Sequence, residues 1–269
     1  MAATSTTEFV PETEHLLYER RGAVAYLTFN RPEARNALTW AMYEGLYACC
    51  DYVDKDDRVR VLVLRGAGDK AFVSGTDISQ FKAFNTPEDA LTYERNNNKY
   101  GNRLEHVQKP TIAMIRGACV GGGAAFAMCC DMRLASPDVR FGVPISRTLG
   151  NTLSTQNYNR LVALIGPARA KELIFTARLV GAEEGKALGV FNEIVESEQL
   201  EARTHELAEQ IASNAPLTIR AGKMTIQRIV EKARLEEADD LLLMCYMSAD
   251  FKEGVAAFLE KRKPNWQGR

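Results

Sequence analysis

Residues 112–130 read IAMIRGACVGGGAAFAMCC, an apolar stretch that contains Arg116 and four glycines. Its length approaches that of a membrane-spanning helix, but the charge and the glycines disfavour this interpretation. Pro110 precedes the stretch, and small residues dominate its second half. The pattern therefore predicts a buried strand over 111–115, a glycine turn, and a buried helix over 122–130.

Strands and helices are predicted alternately on both sides of this stretch. The predicted strands cover 15–20, 23–30, 59–64, 132–135 and 190–195, and the predicted helices run from Thr39 to near Lys55 and over 88–107, with a further helix start at Pro167. From residue 155 onward the pattern is mostly helical. We therefore expect an α/β core over residues 1–195 and a smaller helical region over 196–269.

A second segment, Ser74-Gly75-Thr76-Asp77, also places a glycine between a predicted strand and a helix. Glycine lets the backbone approach a ligand, and the N–H groups at a helix start suit an oxygen that gains negative charge. Tight turns and close helix–strand packing are the competing structural interpretation. Neither G-x-G-x-x-G nor G-x-x-x-x-G-K-[ST] occurs, so no nucleotide phosphate loop is predicted.

Composition excludes several other classes of protein. The 34 basic and 35 acidic side chains give a formal net charge of -1, which disfavours general binding to nucleic acid. The six cysteines lack metal-site spacing and lie mostly in apolar runs, so we expect reduced thiols, no metal site and a reducing compartment, with the cytoplasm as the predicted location. The polar N-terminus lacks the apolar segment of a secretory signal.

The sequence resembles the crotonase, or enoyl-CoA hydratase/isomerase, superfamily over nearly its whole length. The matching segments are NRPEARNAL at 30–38, AFVSGTDI at 71–78, the glycine-rich stretch 112–132, and EGVAAFLEKRKP at 253–264. This resemblance implies an α/β crotonase-like (ClpP/crotonase) spiral of ββα units and a C-terminal helical region that forms a homotrimer or a dimer of trimers. It also implies an acyl-CoA thioester as substrate, with coenzyme A as part of that substrate and no separate cofactor.

The same resemblance assigns roles to individual residues. It implies that the main-chain N–H groups of Thr76 and Gly122 hold the thioester oxygen as an enolate forms, a kind of interaction worth about 3 kcal/mol per donor. The residues that would contact coenzyme A are Glu33, Ala34, Arg35, Ser74, Gly75, Asp77 and Ile78, with Phe258, Lys261 and Lys263 reaching the coenzyme A of a neighbouring subunit. By residue type Asp77 is also expected to cap backbone N–H groups.

The two glutamates that a hydratase of this family uses are missing. One position holds Ala125, and the other holds Ile145 or, if the loop is one residue longer, Ser146. None of these is a carboxylate that could serve as the acid or base. Arg147 is a candidate replacement, because its guanidinium could hold a substrate carboxylate. The competing interpretation is that Arg147 forms a structural ion pair or is exposed to solvent. Glu94 is a second candidate and the carboxylate to test first. The competing interpretation is that Glu94 is an exposed charge on a helix.

The expected function is therefore acyl-CoA chemistry of the enoyl-CoA hydratase/isomerase group in the broad sense, proceeding through an enolate. Decarboxylation or C–C hydrolysis of a carboxylated or keto acyl-CoA is one alternative. Binding of an acyl-CoA without catalysis is the other.

Overall fold

Two sheets organise residues 8–232 and 238–268, which are the parts of the chain that the computed structural model describes. The six-stranded sheet has the order β1-β2-β3-β5-β7-β9, and the three-stranded sheet has the order β4-β6-β8. All neighbouring strands are parallel except the hairpin of β1 and β2. The strands are β1 (Leu16–Arg21), β2 (Val24–Phe29), β3 (Val61–Gly66), β4 (Ala71–Val73), β5 (Thr111–Ile115), β6 (Ala118–Val120), β7 (Met132–Ala135), β8 (Arg140–Gly142) and β9 (Glu193–Ile194).

The chain repeats one unit three times. Each of β3, β5 and β7 lies in the large sheet, and the strand that follows it in sequence, β4, β6 or β8, lies in the small sheet. A helical segment then returns the chain to the large sheet. Since parallel strands require such crossovers, this repetition winds the chain into the spiral of ββα units that the family resemblance implies.

Helices follow each strand pair and make up most of the C-terminal region. They are α1 (Trp40–Lys55), α2 (Pro87–Glu105), α3 (Gly122–Cys129), α4 (Ile145–Thr148), α5 (Thr155–Thr176), α6 (Ala182–Ala187), α7 (Leu200–Ala212), α8 (Pro216–Glu231), α9 (Asp239–Tyr246) and α10 (Ala249–Leu259), with 3-10 helices at Pro32–Ala34 and Ile78–Ala83. Gly166 has φ 76° inside α5, so the helix kinks there and restarts at Pro167, as predicted. No helix in the described ranges combines the length and apolar character needed to cross a bilayer.

Two local predictions needed correction. The strand predicted over 190–195 is reduced to Glu193–Ile194, because the Val190 carbonyl accepts a hydrogen bond from the Arg133 guanidinium and the Asn192 side chain accepts from the Arg133 N–H. Thr39 is the N-cap residue of α1, as predicted, but its hydroxyl makes no capping hydrogen bond. The first turn of α1 therefore lacks side-chain capping at that residue.

The C-terminal helices pack on the α/β core in two places. Leu200 and Ala208 of α7 are buried against one face of the large sheet. Tyr246 of α9 and Phe251 of α10 pack with Tyr93 of α2 in a separate apolar cluster. By contrast, no residue of α8 is fully buried in the described chain, and Leu217, Ile226 and Ile229 of this helix are exposed.

Candidate functional site

A cavity of about 770 Å³ opens between the two glycine segments, α1, α2 and the loop after β8. Apolar side chains line most of it, and a few polar groups converge inside, which is the usual composition of a small-molecule site. The lining residues include Glu33, Ala34, Arg35, Ala37, Tyr43, Ser74, Gly75, Thr76, Asp77, Ile78, Phe81, Tyr93, Glu94, Asn97, Gly121, Gly122, Ala125, Phe126, Val143, Pro144, Ile145, Thr148, Leu149, Asn151, Thr152, Leu153, Asn157 and Phe258.

The two glycine segments lie directly against each other at the start of α3. A Cβ on Gly123 would lie 2.1 Å from the Val73 carbonyl oxygen, so only glycine permits this approach of helix to strand. Gly75 and Gly121 both adopt positive φ, and a Cβ on Gly121 would lie 3.5 Å from the Gly75 Cα. Packing and turn geometry therefore account for these three glycines, as the structural interpretation predicts.

This packing brings Thr76 and Gly122 side by side at the cavity wall. A Cβ on Gly122 would lie 3.3 Å from the Thr76 hydroxyl. Neither the Thr76 N–H nor the Gly122 N–H donates a hydrogen bond within the described residues. Gly122 is the first residue of α3, where N–H groups lack helical partners and the helix dipole is positive. Two unpaired donors at one point of a cavity suit a carbonyl oxygen that gains negative charge.

Three hydroxyl groups lie beside these donors. The Tyr43 and Thr76 hydroxyls are 2.7 Å apart, and the Thr76 and Tyr93 hydroxyls are 3.2 Å apart. Burial raises the pKa of both Tyr43 and Tyr93 above the usual value, so both phenols stay protonated. Sequence reasoning missed Tyr43, because this residue falls on the buried face of α1 among apolar side chains.

Glu94, on α2, is part of the cavity lining. Its side chain is buried, at 4 % exposure, so the interpretation of Glu94 as an exposed helix charge is wrong. The Tyr246 hydroxyl donates a hydrogen bond of 2.5 Å to Glu94 and accepts one of 3.0 Å from the Asn151 amide. Burial raises the pKa of Tyr246 well above its usual value, and the Glu94 charge adds to this effect. One buried network thus joins α2, α9 and the loop after α4.

Two of the residues predicted at the glutamate positions line the cavity with apolar groups. Ala125 and Ile145 both contact it, and neither side chain can carry a proton. Ser146 and Arg147 are exposed and lie outside the cavity lining, and the Ser146 hydroxyl donates to the Ile174 carbonyl at 2.6 Å. Since α4 is a single turn with Ile145 and Thr148 facing the cavity, the two residues between them face outward.

The residues predicted to contact coenzyme A fall into two groups. Phe258 and all seven predicted residues between positions 33 and 78 line the cavity. Lys261 and Lys263 are exposed and lie outside its lining. Burial opposes the charge of Asp77, but hydrogen bonds from Ser79 and Arg31 outweigh it and hold the pKa of Asp77 below its usual value. Asp77 also caps the following 3-10 helix, as predicted.

The buried amide of Asn36 fixes the loop that carries the first of these residues. It donates to the carbonyls of Ala67 and Ala71 and accepts from the Arg31 N–H. These three bonds hold the loop against the ends of β3 and β4. Glu33, Ala34 and Arg35 are therefore presented at the cavity mouth by a loop with few alternative conformations.

Comparison with known proteins identifies the family. A profile described as enoyl-CoA hydratase/isomerase matches residues 19–269. This chain belongs to the enoyl-CoA hydratase/isomerase family. The match covers nearly the whole chain, and membership of this family, within the crotonase superfamily, confirms the resemblance inferred from the four matching segments. As a family member, the chain is an acyl-CoA enzyme with the predicted fold.

Several known proteins are similar to this chain over nearly its whole length. The short-chain-enoyl-CoA hydratase of Clostridium acetobutylicum is 37% identical over 255 residues, covering 94% of this chain and 97% of that protein. An enoyl-CoA hydratase/carnitine racemase structure from Magnetospirillum magneticum has a TM-score of 0.78 at 34% identity, over 96% of this chain and 97% of that one. A methylmalonyl-CoA decarboxylase in complex with 2-nitronate-propionyl-CoA has a TM-score of 0.87 at 29% identity, over 95% and 99%.

Proposed function

We propose that this family member binds a carboxylated acyl-CoA and releases CO2 from it, with the thioester oxygen of the resulting enolate held by the N–H groups of Thr76 and Gly122. The observation that carries this proposal is the pair Ala125 and Ile145 at the cavity wall. Hydration requires groups at these positions that move protons to and from water. Decarboxylation requires an electron sink and no base.

The chemistry follows from the two unpaired donors. When the bond between the α-carbon and the carboxylate breaks, its electron pair moves onto the thioester carbonyl and forms an enolate. Hydrogen bonds that strengthen as this charge develops lower the barrier, by about 3 kcal/mol for each donor. The similarity to a methylmalonyl-CoA decarboxylase supports this class of reaction. Coenzyme A enters only as part of the substrate, bound by the loop at 33–35 and the segment 74–78.

Hydration or isomerisation is a second candidate because of Glu94. This buried carboxylate lines the same cavity, and relatives at 37% and 35% identity are named as short-chain-enoyl-CoA and crotonyl-CoA hydratases. In this alternative Glu94, held by Tyr246, would act as the general acid or base in place of the family glutamates. Arg147, which lies outside the cavity lining, is not needed in either reaction.

One substrate panel separates the candidates. Methylmalonyl-CoA, malonyl-CoA and crotonyl-CoA are incubated with the wild type, with Gly122→Pro, which removes one N–H donor, and with Glu94→Gln. We expect CO2 release from a carboxylated ester that falls at least 10²-fold in Gly122→Pro. Turnover of crotonyl-CoA that is lost in Glu94→Gln, without CO2 release from the other esters, would replace decarboxylation with hydration.

A folded protein that binds all three esters and turns over none would overturn both reactions in favour of a non-catalytic binder. Gly122→Ala keeps the N–H group and adds only a methyl group, so it controls for the bulk of proline. Circular dichroism and melting temperature show whether each variant keeps the fold.

We further propose that subunits assemble through the C-terminal helices as a homotrimer or a dimer of trimers. The exposed apolar side chains of α8 support this assembly, since a helix without buried residues gains stability by packing against another surface. Leu241 and Met244 of α9 extend the exposed apolar surface of the same region.

A further inference from the structure

The hydroxyl groups of Tyr43, Thr76 and Tyr93 form a cluster that the cleavage of the C–C bond does not use. Its members come from α1, from the segment after β4 and from α2, and all three line the cavity. Tyr43 and Tyr93 are 2 % and 8 % exposed, so two phenols are withdrawn from solvent beside the site. Buried hydroxyl groups carry a desolvation cost, which is smallest when each proton has an acceptor.

One of the three O–H protons in the cluster is not used in the hydrogen bonds among its members. Two hydrogen bonds join its three hydroxyls and use two of the three O–H protons. The Asn97 side chain lowers the pKa of Tyr93 through a hydrogen bond, in opposition to the effect of burial. If Tyr43 donates to Thr76 and Thr76 donates to Tyr93, the remaining O–H is that of Tyr93.

The cluster lies next to the two N–H donors. A Cβ on Gly122 would lie 3.1 Å from the Tyr43 hydroxyl and 3.3 Å from that of Thr76. Ala125 and Ile145 line the same cavity and carry no transferable proton, whereas the hydroxyl groups of the cluster lie beside Gly122. An enolate held by Thr76 and Gly122 would therefore have these O–H groups as neighbours.

We propose that Tyr93 is the catalytic acid that protonates the enolate, with Thr76, Tyr43 and Asn97 as positioning residues. This inference rests on the proposed function for its enolate. As CO2 leaves, the electron pair of the broken C–C bond becomes the enolate; the α-carbon then forms a C–H bond with the Tyr93 hydroxyl proton. The Tyr93 phenolate accepts hydrogen bonds from Thr76 and Asn97 and regains its proton from water that enters as product leaves.

The protonation states agree with this role. Burial, together with the Glu94 charge, raises the pKa of Tyr93, so the phenol holds its proton before the enolate forms. Hydrogen bonds from Thr76 and Asn97 act in the opposite direction and favour the phenolate. An enolate carbon is a stronger base than a phenolate, so the proton transfer from Tyr93 to the α-carbon lowers the free energy.

The test uses matched variants that keep the ring or the main-chain donor. Tyr93→Phe removes only the hydroxyl, and Thr76→Val removes the hydroxyl but keeps the N–H, while Thr76→Ser restores it. Tyr47→Phe is the control, since Tyr47 lies one turn further along α1 and outside the cavity lining. Methylmalonyl-CoA is decarboxylated in D2O, and the rate and the configuration of the α-deuterated product are measured.

We expect kcat to fall about 10²-fold or more in Tyr93→Phe, since general acid catalysis contributes on that order. The product should change from one configuration to a mixture, because solvent can deliver deuterium to either face. Thr76→Val should lose about tenfold or more, with recovery in Thr76→Ser. A wild-type rate and a single configuration in Tyr93→Phe would overturn the assignment while leaving decarboxylation intact.

A binding measurement separates this inference from the reaction itself. The affinity for a nitronate analogue of propionyl-CoA, a planar anion like the enolate, is compared with that for propionyl-CoA. We expect the wild type and Tyr47→Phe to prefer the nitronate, and Tyr93→Phe and Thr76→Val to lose most of that preference. This result without decarboxylation would reject the reaction and keep the hydroxyl donor; an equal preference in all variants would reject the donor.

Discussion

The Tyr246 hydroxyl donates a hydrogen bond of 2.5 Å to the Glu94 carboxylate, across 152 positions of sequence. This bond attaches α9, in the C-terminal region, to the cavity wall formed by α2. Asn151 donates to the same hydroxyl at 3.0 Å and brings in the loop after α4. The shape of the cavity therefore depends on the C-terminal helices as well as on the α/β core.

Removal of the Tyr246 hydroxyl should destabilise the protein and disturb the cavity. In Tyr246→Phe the ring still fills its site, but Glu94 and Asn151 each lose a buried partner. We expect the free energy of unfolding to fall by about 1–3 kcal/mol. Urea denaturation measures this change, with Tyr47→Phe as the control outside the network. An unchanged midpoint would show that water replaces the lost hydroxyl at no cost.

Gly123 should tolerate no side chain. A Cβ there would lie 2.1 Å from the Val73 carbonyl oxygen, so α3 must move away from β4 in Gly123→Ala. We expect a loss of about 1–3 kcal/mol in the free energy of unfolding, together with reduced activity because Gly122 moves as well. Gly222→Ala in α8 is the matched control, since its Cβ would meet no atom within 4 Å. Equal stability of the two variants would contradict the predicted close approach.

Protonation of Glu253 at low pH should destabilise the C-terminal tail. Hydrogen bonds from Arg262 and from the Asn265 N–H lower the pKa of Glu253 from 4.5 to about 2. Because the folded state holds this pKa below the unfolded value, the stabilisation is complete above about pH 4.5 and is lost as the pH falls toward 2. Melting temperatures at low ionic strength between these values should decline less steeply in Glu253→Gln. Identical slopes in the two proteins would exclude this contribution.

A charge on α8 should weaken the proposed assembly. Ile226 is 63% exposed in the single chain, and Ile226→Glu would place a carboxylate in the interface where apolar contacts are expected. Light scattering coupled to size exclusion should show a trimer or hexamer for the wild type and a smaller species for the variant. Gln210→Glu, at an exposed polar position of α7, should keep the wild-type mass. A monomeric wild type would refute the proposed assembly.

Local sequence patterns were sufficient to predict much of the fold. The strands Thr111–Ile115 and Met132–Ala135 have the predicted bounds, and α1 ends at Lys55 as expected. Hydrophobic runs, glycine turns and a proline act over a few neighbouring residues, so they can be recognised without knowledge of distant contacts. The two glycine segments likewise predicted two turns whose residues line the cavity.

The sequence by itself determined the order of strands and helices and the family, because hydrophobic periodicity and short motifs depend on residue type at a given position. Only the tertiary structure decided that Glu94 is buried, that Ser146 and Arg147 face outward, and that Tyr43, Thr76 and Tyr93 meet. The partners of Glu94 and Thr76 lie 152 and 33 positions away in sequence. No periodicity specifies such pairs, because packing of distant elements brings them together.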